Sequence, residues 1–245
     1  MSDNASPTGD RQQAQLQALL RAIASRNRPM TAQLLAKSPA LAQLAIKVGA
    51  TRQAASDFYF KEINHYAYAG DTPLHIAAAA YQREIAEELV SKGANVRARN
   101  RRGAEPLQYA SDGIPGSAAW DPDAQYAVVE FLIRAGADPN SEDKSGVAPL
   151  HRAVRTRCTA AVRALLTNGA DAVGKNKSGS TPLHLAVQNT GRGGSGSAAA
   201  REEQAEIIRL LLCHGARPSD KDSTGRSVKD SVKTEWIHLL LRELS

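Results

Sequence analysis

Three histidines, His75, His151 and His184, each follow a Pro-Leu pair, and histidine side chains can bind metal ions or transfer protons. The remaining Pro-Leu pair in this series is followed by Gln108, which comes between the first two histidines. Each copy begins its own predicted helix, and packed helices lie about 8 to 10 Å apart. A shared metal ion is therefore out of reach, and the spacing favours neither a metal site nor a catalytic site.

A glycine-rich segment offers a second possible chemistry, because Gly191, Gly193 and Gly196 match the spacing of a dinucleotide-binding loop. Such a loop requires a preceding strand and a helix that starts immediately after it. Here a predicted helix precedes the glycines, and further Ser and Ala residues follow them. The segment is predicted to be a flexible insertion. No Walker A sequence is present, and no cofactor is expected.

Two further positions could carry chemistry on their own. Cys158 follows Arg157, whose charge could depress the pKa of the thiol and make it a nucleophile. No His and Asn partners are designated for it, so nucleophilic catalysis is not expected. Asp121 and Asp123, beside Trp120, could bind a cation, although such pairs are more often solvated or paired with arginine.

Four arginines, Arg97, Arg99, Arg101 and Arg102, lie within six residues of each other. Like charges this close repel, so a partner or a counterion should relieve them. Nucleic-acid phosphates are one candidate, but the segment lacks the interleaved aromatic residues of a base-stacking surface. We therefore expect these arginines to bind an acidic protein surface. A purely solubilising surface is the alternative that the sequence leaves open.

The chain is organised around the stretch 70–78, Gly-Asp-Thr-Pro-Leu-His-Ile-Ala-Ala, which recurs. Copies begin at glycines 70, 103, 146 and 179, with a faint fifth at 225, so the intervals are 33, 43, 33 and 46 residues. A second signature, Gly-Ala, begins at residues 93, 136, 169 and 215. It follows the Thr position by 21 residues in the first and third copies, and by 31 and 34 residues in the others. The extra residues of the long copies therefore lie between their two helices.

The residues of this unit predict a pair of helices. Thr72 before Pro73 is a helix N-cap followed by the residue best suited to the first helical position. Leu and Ala at the next positions give a short helix whose small residues let a neighbour approach closely. Gly93 suits the left-handed conformation that ends a helix, and polar turn residues follow it. One such unit cannot bury its apolar face alone, so the units must stack.

At these two linked motifs the sequence resembles the ankyrin-repeat family, over residues 70–222 with an atypical piece at each end. The resemblance implies an all-α fold: an α-solenoid of helix-turn-helix repeats with protruding hairpins. It also implies a non-enzymatic protein–protein interaction module whose concave face, made of hairpin tips and inner helices, binds another protein. In that pattern His75, His151 and His184 are structural hydrogen-bonding residues near the Thr cap.

The domain organisation follows from the repeats. Residues 1–11 are predicted to be a disordered tail, and 12–69 an N-terminal helical cap with an extended connector. The cap helices are expected at 12–25, 31–37 and 39–48. Four repeats should occupy 70–102, 103–145, 146–178 and 179–222, and a C-terminal capping repeat 223–245. The aromatic stretch 57–68 is expected to run extended across the first unit.

Composition narrows the class of protein further. The net charge is +6 and the isoelectric point near 9.4, which mildly favours an acidic partner. The two cysteines, Cys158 and Cys213, have no metal-ligand spacing, so a reduced, cytoplasmic protein is expected. Residues 1–10 lack an apolar stretch, and no apolar run approaches 18 residues, so neither a signal peptide nor a membrane span is expected. A monomer is the simplest expectation.

The two long insertions suggest an alternative function, the binding of a small anion or nucleotide. They should rise from the same edge of the solenoid, two units and about 16 to 20 Å apart. The floor of the predicted site is cationic and consists of Arg152, Arg155 and Arg157, beside the positive end of the repeat-three outer helix. A mobile flap, formed by Arg192, Gly193 and Gly194, could close over it. The alternative is that Asp121, Asp123 or Glu202 folds back to neutralise these arginines, which would leave only a salt-bridged edge.

Overall fold

The computed structural model describes residues 7–118, 120–189 and 196–244. Within these ranges the chain forms twelve α-helices and a single two-stranded antiparallel sheet. The helices, in chain order, are α1 Pro7–Ala24, α2 Arg28–Lys37, α3 Pro73–Ala79, α4 Arg83–Ser91, α5 Pro106–Ala110, α6 Pro122–Arg134, α7 Pro149–Arg155, α8 Thr159–Thr167, α9 Pro182–Ala186, α10 Ala198–Cys213, α11 Val228–Ser231 and α12 Glu235–Glu243. The strands are β1 Tyr59–Phe60 and β2 His65–Tyr66.

Each repeat begins and ends as its motif predicts. All four inner helices, α3, α5, α7 and α9, have proline in the first turn, directly after an N-cap residue in extended conformation. The glycine after each outer helix, at positions 93, 136, 169 and 215, has a φ between 87° and 103°. Residues with a Cβ atom are strained in this left-handed region, and glycine is not. This explains why the Gly-Ala signature marks the end of every outer helix.

The repeats stack into a solenoid, so the all-α prediction is confirmed. Inner helices contact inner helices from α3 through α9, and outer helices contact outer helices from α4 through α10. The motif leucine of every inner helix is enclosed, with at most 1% of its surface exposed: these are Leu74, Leu107, Leu150 and Leu183. Backbone hydrogen bonds also join successive tips, from the Arg101 N–H to the Ala69 carbonyl (2.7 Å) and from the Lys144 N–H to the Arg102 carbonyl (3.0 Å).

The N-terminal cap differs from the prediction at both of its ends. Helix α1 begins at Pro7, so residues 7–11 are helical and do not belong to a disordered tail. Proline fits a first turn because the N–H groups there have no intrahelical partner. After α2 only Pro39–Gln43 continues, as a 3-10 helix, whereas the sequence predicts a helix as far as Val48. The chain then leaves the helix to pair with residues next to the first repeat.

The connector, residues 44–69, is folded and not extended. Its backbone pairs with itself and with the first repeat, through hydrogen bonds from the Ile46 N–H to the Asp71 carbonyl and from the Gly70 N–H to the Ile46 carbonyl (both 2.9 Å). Gly49 permits this approach, because a Cβ there would lie 2.4 Å from the Ala69 nitrogen. Strands β1 and β2 then form a short hairpin that crosses the first repeat and reaches the second.

The C-terminal cap closes the stack with α11 and α12, and α11 contacts α9. Ile237, Leu240 and Leu241 of α12 are buried, whereas Leu244 is 43% exposed. Among the described residues no helix combines the length and the apolar character needed to cross a membrane.

The buried leucine column gives a direct test of the stacking. Leu150 lies in α7 with 1% of its surface exposed, so Leu150→Ala should lower the free energy of unfolding by about 2 to 5 kcal/mol. Urea denaturation followed by circular dichroism measures this. The matched control is Val173→Ala at an exposed tip, where we expect a change below about 0.5 kcal/mol. Equal effects of the two substitutions would contradict the placement of Leu150.

Candidate functional site

The repeated histidines connect each repeat to the next. The Thr72 N–H donates to His75 Nδ1 (3.1 Å), and His75 Nε2 lies 3.2 Å from the Ala104 carbonyl oxygen at the start of repeat two. His184 repeats this arrangement, with its Nδ1 accepting from the Thr181 N–H and its Nε2 3.3 Å from the Arg226 carbonyl. Because Nδ1 accepts from a backbone N–H, the proton must be on Nε2 for the second bond to form.

Gln108 completes the same series in the repeat that lacks the histidine. Its Oε1 accepts from the Glu105 N–H (2.6 Å), and its Nε2 donates to the Ser141 carbonyl (2.8 Å). His151 keeps the forward bond, with Nε2 3.2 Å from the Ser180 carbonyl. The structural role implied for these histidines is confirmed. Among the described residues no three His, Cys, Asp or Glu side chains are placed to hold a metal ion.

The four arginines at the first hairpin tip, Arg97, Arg99, Arg101 and Arg102, are called the tip arginines. Two of them, Arg97 and Arg99, form ion pairs with residues of repeat two. Arg99 Nε donates to Glu105 Oε1 (3.0 Å) and its Nη2 donates to Ser141 Oγ (2.7 Å). Arg97 lies 3.9 Å from the same Glu105 carboxylate and 3.6 Å from that of Asp138. The Glu105 side chain is 1% exposed, so these two arginines provide the charge that a buried carboxylate requires.

The other two tip arginines, Arg101 and Arg102, contact the connector and have no carboxylate within ion-pair distance in the described residues. Both guanidinium groups lie over the ring of Tyr68, 5.4 and 4.9 Å from its centroid. Arg102 Nη1 also donates to the Tyr68 hydroxyl (3.0 Å), and Arg101 donates to the Ala50 carbonyl. Their positive charge is held in place but not neutralised.

The three repeat-three arginines have different environments. Arg152 is buried and donates to the carboxylates of Asp112 (2.6 Å) and Asp143 (3.1 Å). Burial alone would lower the pKa of Arg152, but these two carboxylates raise it above its usual value. Arg157 is half-buried and donates to the Gln188 carbonyl (2.9 Å), and burial lowers its pKa.

Arg155 is exposed, and no ion pair or hydrogen bond of its side chain is found in the described ranges. It lines a cavity of about 220 Å³ on the concave side together with Arg102, Tyr66 and Tyr68. The sequence does not predict that Arg155 lies beside Tyr66 and Tyr68, because the tyrosines belong to the connector, far from Arg155 along the chain. The only available signal was the concentration of aromatic residues between positions 57 and 68.

The predicted anion pocket stays a prediction. Its flap residues, Arg192, Gly193 and Gly194, lie outside the described residues. Carboxylates from Asp112 and Asp143, not from Asp121, Asp123 or Glu202, neutralise Arg152. The insertion of repeat two does line a cavity, and among the described residues the opposite wall is the connector hairpin.

The structure also bears on the two hypotheses about Cys158 as a nucleophile and Asp121 as a cation ligand. Cys158 is buried, and burial raises the pKa of its thiol to about 11, so Arg157 does not depress it. Asp121 is the N-cap of α6, where its carboxylate accepts from the Ala124 N–H (3.0 Å).

Comparison with known families agrees with this geometry. A model of three ankyrin repeats matches residues 117–222, and a single ankyrin-repeat model matches residues 69–101. Together the two matches cover more than half of the 245 residues. The chain belongs to the ankyrin-repeat family. Ankyrin repeats are general protein–protein interaction modules.

Three relatives share part of this ankyrin sequence. The chain is 40% identical over 90 residues to the E3 ubiquitin-protein ligase KEG of Arabidopsis thaliana. It is 33% identical over 98 residues to the NF-kappa-B inhibitor delta of Mus musculus, and 34% identical over 89 residues to the mouse ankyrin repeat and SOCS box protein 16. These matches span 36 to 39% of the chain but only 5%, 27% and 19% of the three relatives. The similarity therefore concerns the repeats.

The ankyrin histidine column should make stability depend on pH. Burial lowers the pKa of His75 below its ordinary value of 6.5, against the opposing effect of Asp71. The unfolded state then binds the proton more tightly, so this contribution to stability is complete above about pH 6.5 and is lost as the pH falls towards the folded-state pKa.

Replacement of His75 by Gln tests this, because Gln108 makes the same two bonds in the next ankyrin repeat. His75→Gln should stay close to wild type in stability at about pH 7.5 and lose less of it at about pH 5.5. Urea unfolding at both pH values measures the difference. The control is His214→Gln at an exposed position, which should keep the wild-type pH dependence. If His75→Gln is as sensitive to acid as wild type, His75 is not the responsible group.

Proposed function

We propose that the ankyrin stack binds an acidic segment of another protein across its hairpin tips and concave face. The observation that carries the proposal is the position of three exposed guanidinium groups, Arg101, Arg102 and Arg155, beside Tyr66 and Tyr68. Arginine and tyrosine are both enriched among the residues that dominate protein–protein binding energies. This patch is called the arginine–tyrosine surface below.

The electrostatics of the arginine–tyrosine surface favour an acidic partner. None of its three guanidinium groups forms an ion pair within the described ranges, so their positive potential extends into solvent. Stacking on Tyr68 reduces the side-chain freedom of Arg101 and Arg102 in advance of binding. Less entropy is then lost when a carboxylate binds the planar donors of each group.

Arg97 and Arg99 extend the surface along the tips with a smaller contribution. Both side chains are about half exposed, but the buried carboxylate of Glu105 already pairs with each of them. A partner's carboxylate would have to share these donors with Glu105. We therefore expect Arg101 and Arg102 to contribute more to binding than the first two tip arginines do.

Selection from a random peptide library, followed by fluorescence polarisation with the best synthetic peptide, tests the proposal. The selected peptides should be enriched in Asp and Glu. Arg101→Gln/Arg102→Gln should weaken the binding of such a peptide about tenfold or more and reduce its salt dependence. The reason is the loss of two charges that no internal carboxylate neutralises.

The matched control removes two arginines from the outer helices, where Arg134 and Arg163 pair with glutamates. Arg134→Gln/Arg163→Gln changes the net charge equally and should leave the affinity within about twofold. Thermal melting of both variants checks that they are folded. Peptides without acidic enrichment, equal weakening in the control, or tighter binding of a labelled single-stranded RNA would each overturn the proposal.

A further inference from the structure

A further cavity, of about 220 Å³, lies between helix α1 of the N-terminal cap and the connector. Its floor is apolar and consists of Leu20, Ile46 and Ala67, all of which are buried. None of its lining residues belongs to the arginine–tyrosine surface. We call this space the aromatic cavity, because the residues that form its walls are mainly aromatic.

Three consecutive aromatic residues, Phe58, Tyr59 and Phe60, line the cavity. Aromatic residues make up only 4% of the chain, and two of its three phenylalanines are in this group. Phe60 packs against the hydrophobic core, and Phe58 is half-buried. Part of the aromatic stretch 57–68 thus borders a cavity that peptide binding at the arginine–tyrosine surface does not use.

The aromatic walls are held in place by the fold of the connector. The Ala67 N–H donates to the Phe58 carbonyl (2.8 Å), which fixes the backbone beside the first ring. The Tyr59 ring lies 4.8 Å from the ring of Tyr66, and the Tyr59 hydroxyl donates to Asn64 Oδ1. Walls that are ordered before binding lose little conformational freedom when a ligand enters.

The charged groups of the aromatic cavity are mainly acidic. The carboxylates of Asp57 and Glu62 line it, both residues are exposed, and neither forms an ion pair with another described residue. Arg21 of α1 also lines the cavity and is exposed. Two carboxylates and one guanidinium leave one negative charge, although the whole chain carries +6. The local charge therefore favours a cation over an anion.

Aromatic rings and carboxylates together restrict the kind of cation. The face of an aromatic ring attracts a cation through the ring quadrupole, and a nearby carboxylate adds a charge interaction. A primary ammonium is strongly hydrated, so bringing it against an apolar floor is costly. Methyl groups on the nitrogen replace that hydration with apolar surface while the positive charge remains.

We infer that the aromatic cavity binds a methylated ammonium group. Its methyl groups contact the rings and the apolar floor, and Asp57 and Glu62 balance its charge. A free quaternary amine and the side chain of a methylated lysine both carry this group. The proposal is independent of peptide binding at the arginine–tyrosine surface, since the two sites share no residue.

Ligand-observed NMR with a matched pair of probes tests the role of the charge. Choline carries a trimethylammonium group, and 3,3-dimethylbutan-1-ol has the same shape with carbon in place of the charged nitrogen. Choline should bind with a Kd of about 1 mM or tighter, the range expected for a ligand of this size. The neutral alcohol should bind about tenfold more weakly, because it keeps the apolar contacts and loses the charge.

Three more probes define the cation and its source. Ethanolamine, which lacks the methyl groups, should bind about fivefold more weakly than choline, and methylguanidinium should also bind less well. Acetylated trimethyllysine amide places the same group on an amino-acid side chain. If it binds more tightly than choline, the natural ligand is a methylated lysine, and if it binds less tightly, the ligand is a free amine. Tighter binding of ethanolamine or methylguanidinium than of choline would contradict the inference.

Three variants locate the binding in the aromatic cavity. Phe58→Leu removes a ring and keeps an apolar side chain, and Asp57→Asn/Glu62→Gln removes both carboxylates. Each should weaken choline binding about fivefold or more. Arg21→Gln should strengthen it about twofold, because a like charge beside the ligand is removed.

The matched control is Asp123→Asn/Glu235→Gln, which removes two exposed carboxylates elsewhere and should leave the affinity for choline unchanged. Thermal melting confirms that each variant is folded, and the exposed carboxylate pair decides the question if Phe58→Leu is not. No saturable binding of choline, equal affinities for choline and the neutral alcohol, or weaker binding in Arg21→Gln would overturn the inference. Equal affinities in the two double variants would do so as well.

Discussion

The stack depends on one repeated interaction: in repeats one, two and four, the side chain three residues after the N-cap forms hydrogen bonds in two directions. His75 and Gln108 each accept from their own N-cap backbone and donate to a carbonyl of the following repeat. A single ankyrin unit cannot bury its apolar face, so its stability comes from its neighbours. These bonds fix the register in which the neighbours meet. The register in turn decides which tip residues lie side by side, and hence where charge accumulates.

The four tip arginines show the effect of this register: two of them pair with a buried carboxylate, and the other two do not. Glu105 replaces threonine as an N-cap, and stacking places its buried carboxylate against Arg97 and Arg99 of the preceding tip. The charge of those two arginines therefore stabilises the contact between repeats one and two. Arg101 and Arg102, only two residues further on, face Tyr68 instead and keep their charge. Four arginines of one short segment thus form two pairs: one pair stabilises the contact between repeats, and the other keeps a positive charge on the surface.

Local signals account for what the sequence predicted well. Proline after an N-cap and glycine after an outer helix act within a few residues, so the four helix pairs and the ankyrin fold could be read directly. The connector could not, because its conformation depends on distant contacts such as those of Ile46 with Asp71 and of His65 with Tyr109. For the same reason the sequence predicts the four arginines as a binding surface but does not show which of them pair with a carboxylate. It placed Arg152 in an anion site, although carboxylates 40 and 9 residues away neutralise it.

The connector also divides the concave face into two parts. Over repeats one and two its hairpin covers inner-helix residues that an open ankyrin stack would expose, and Tyr109 is enclosed beneath it. Arg155 lies beside the hairpin, because it lines the same cavity as Tyr66 and Tyr68 of the connector. Arg102 lines this cavity from the tips. In the proposed interaction, a partner that binds the arginine–tyrosine surface would therefore contact the connector hairpin as well as the tips, because Tyr66 and Tyr68 belong to the connector.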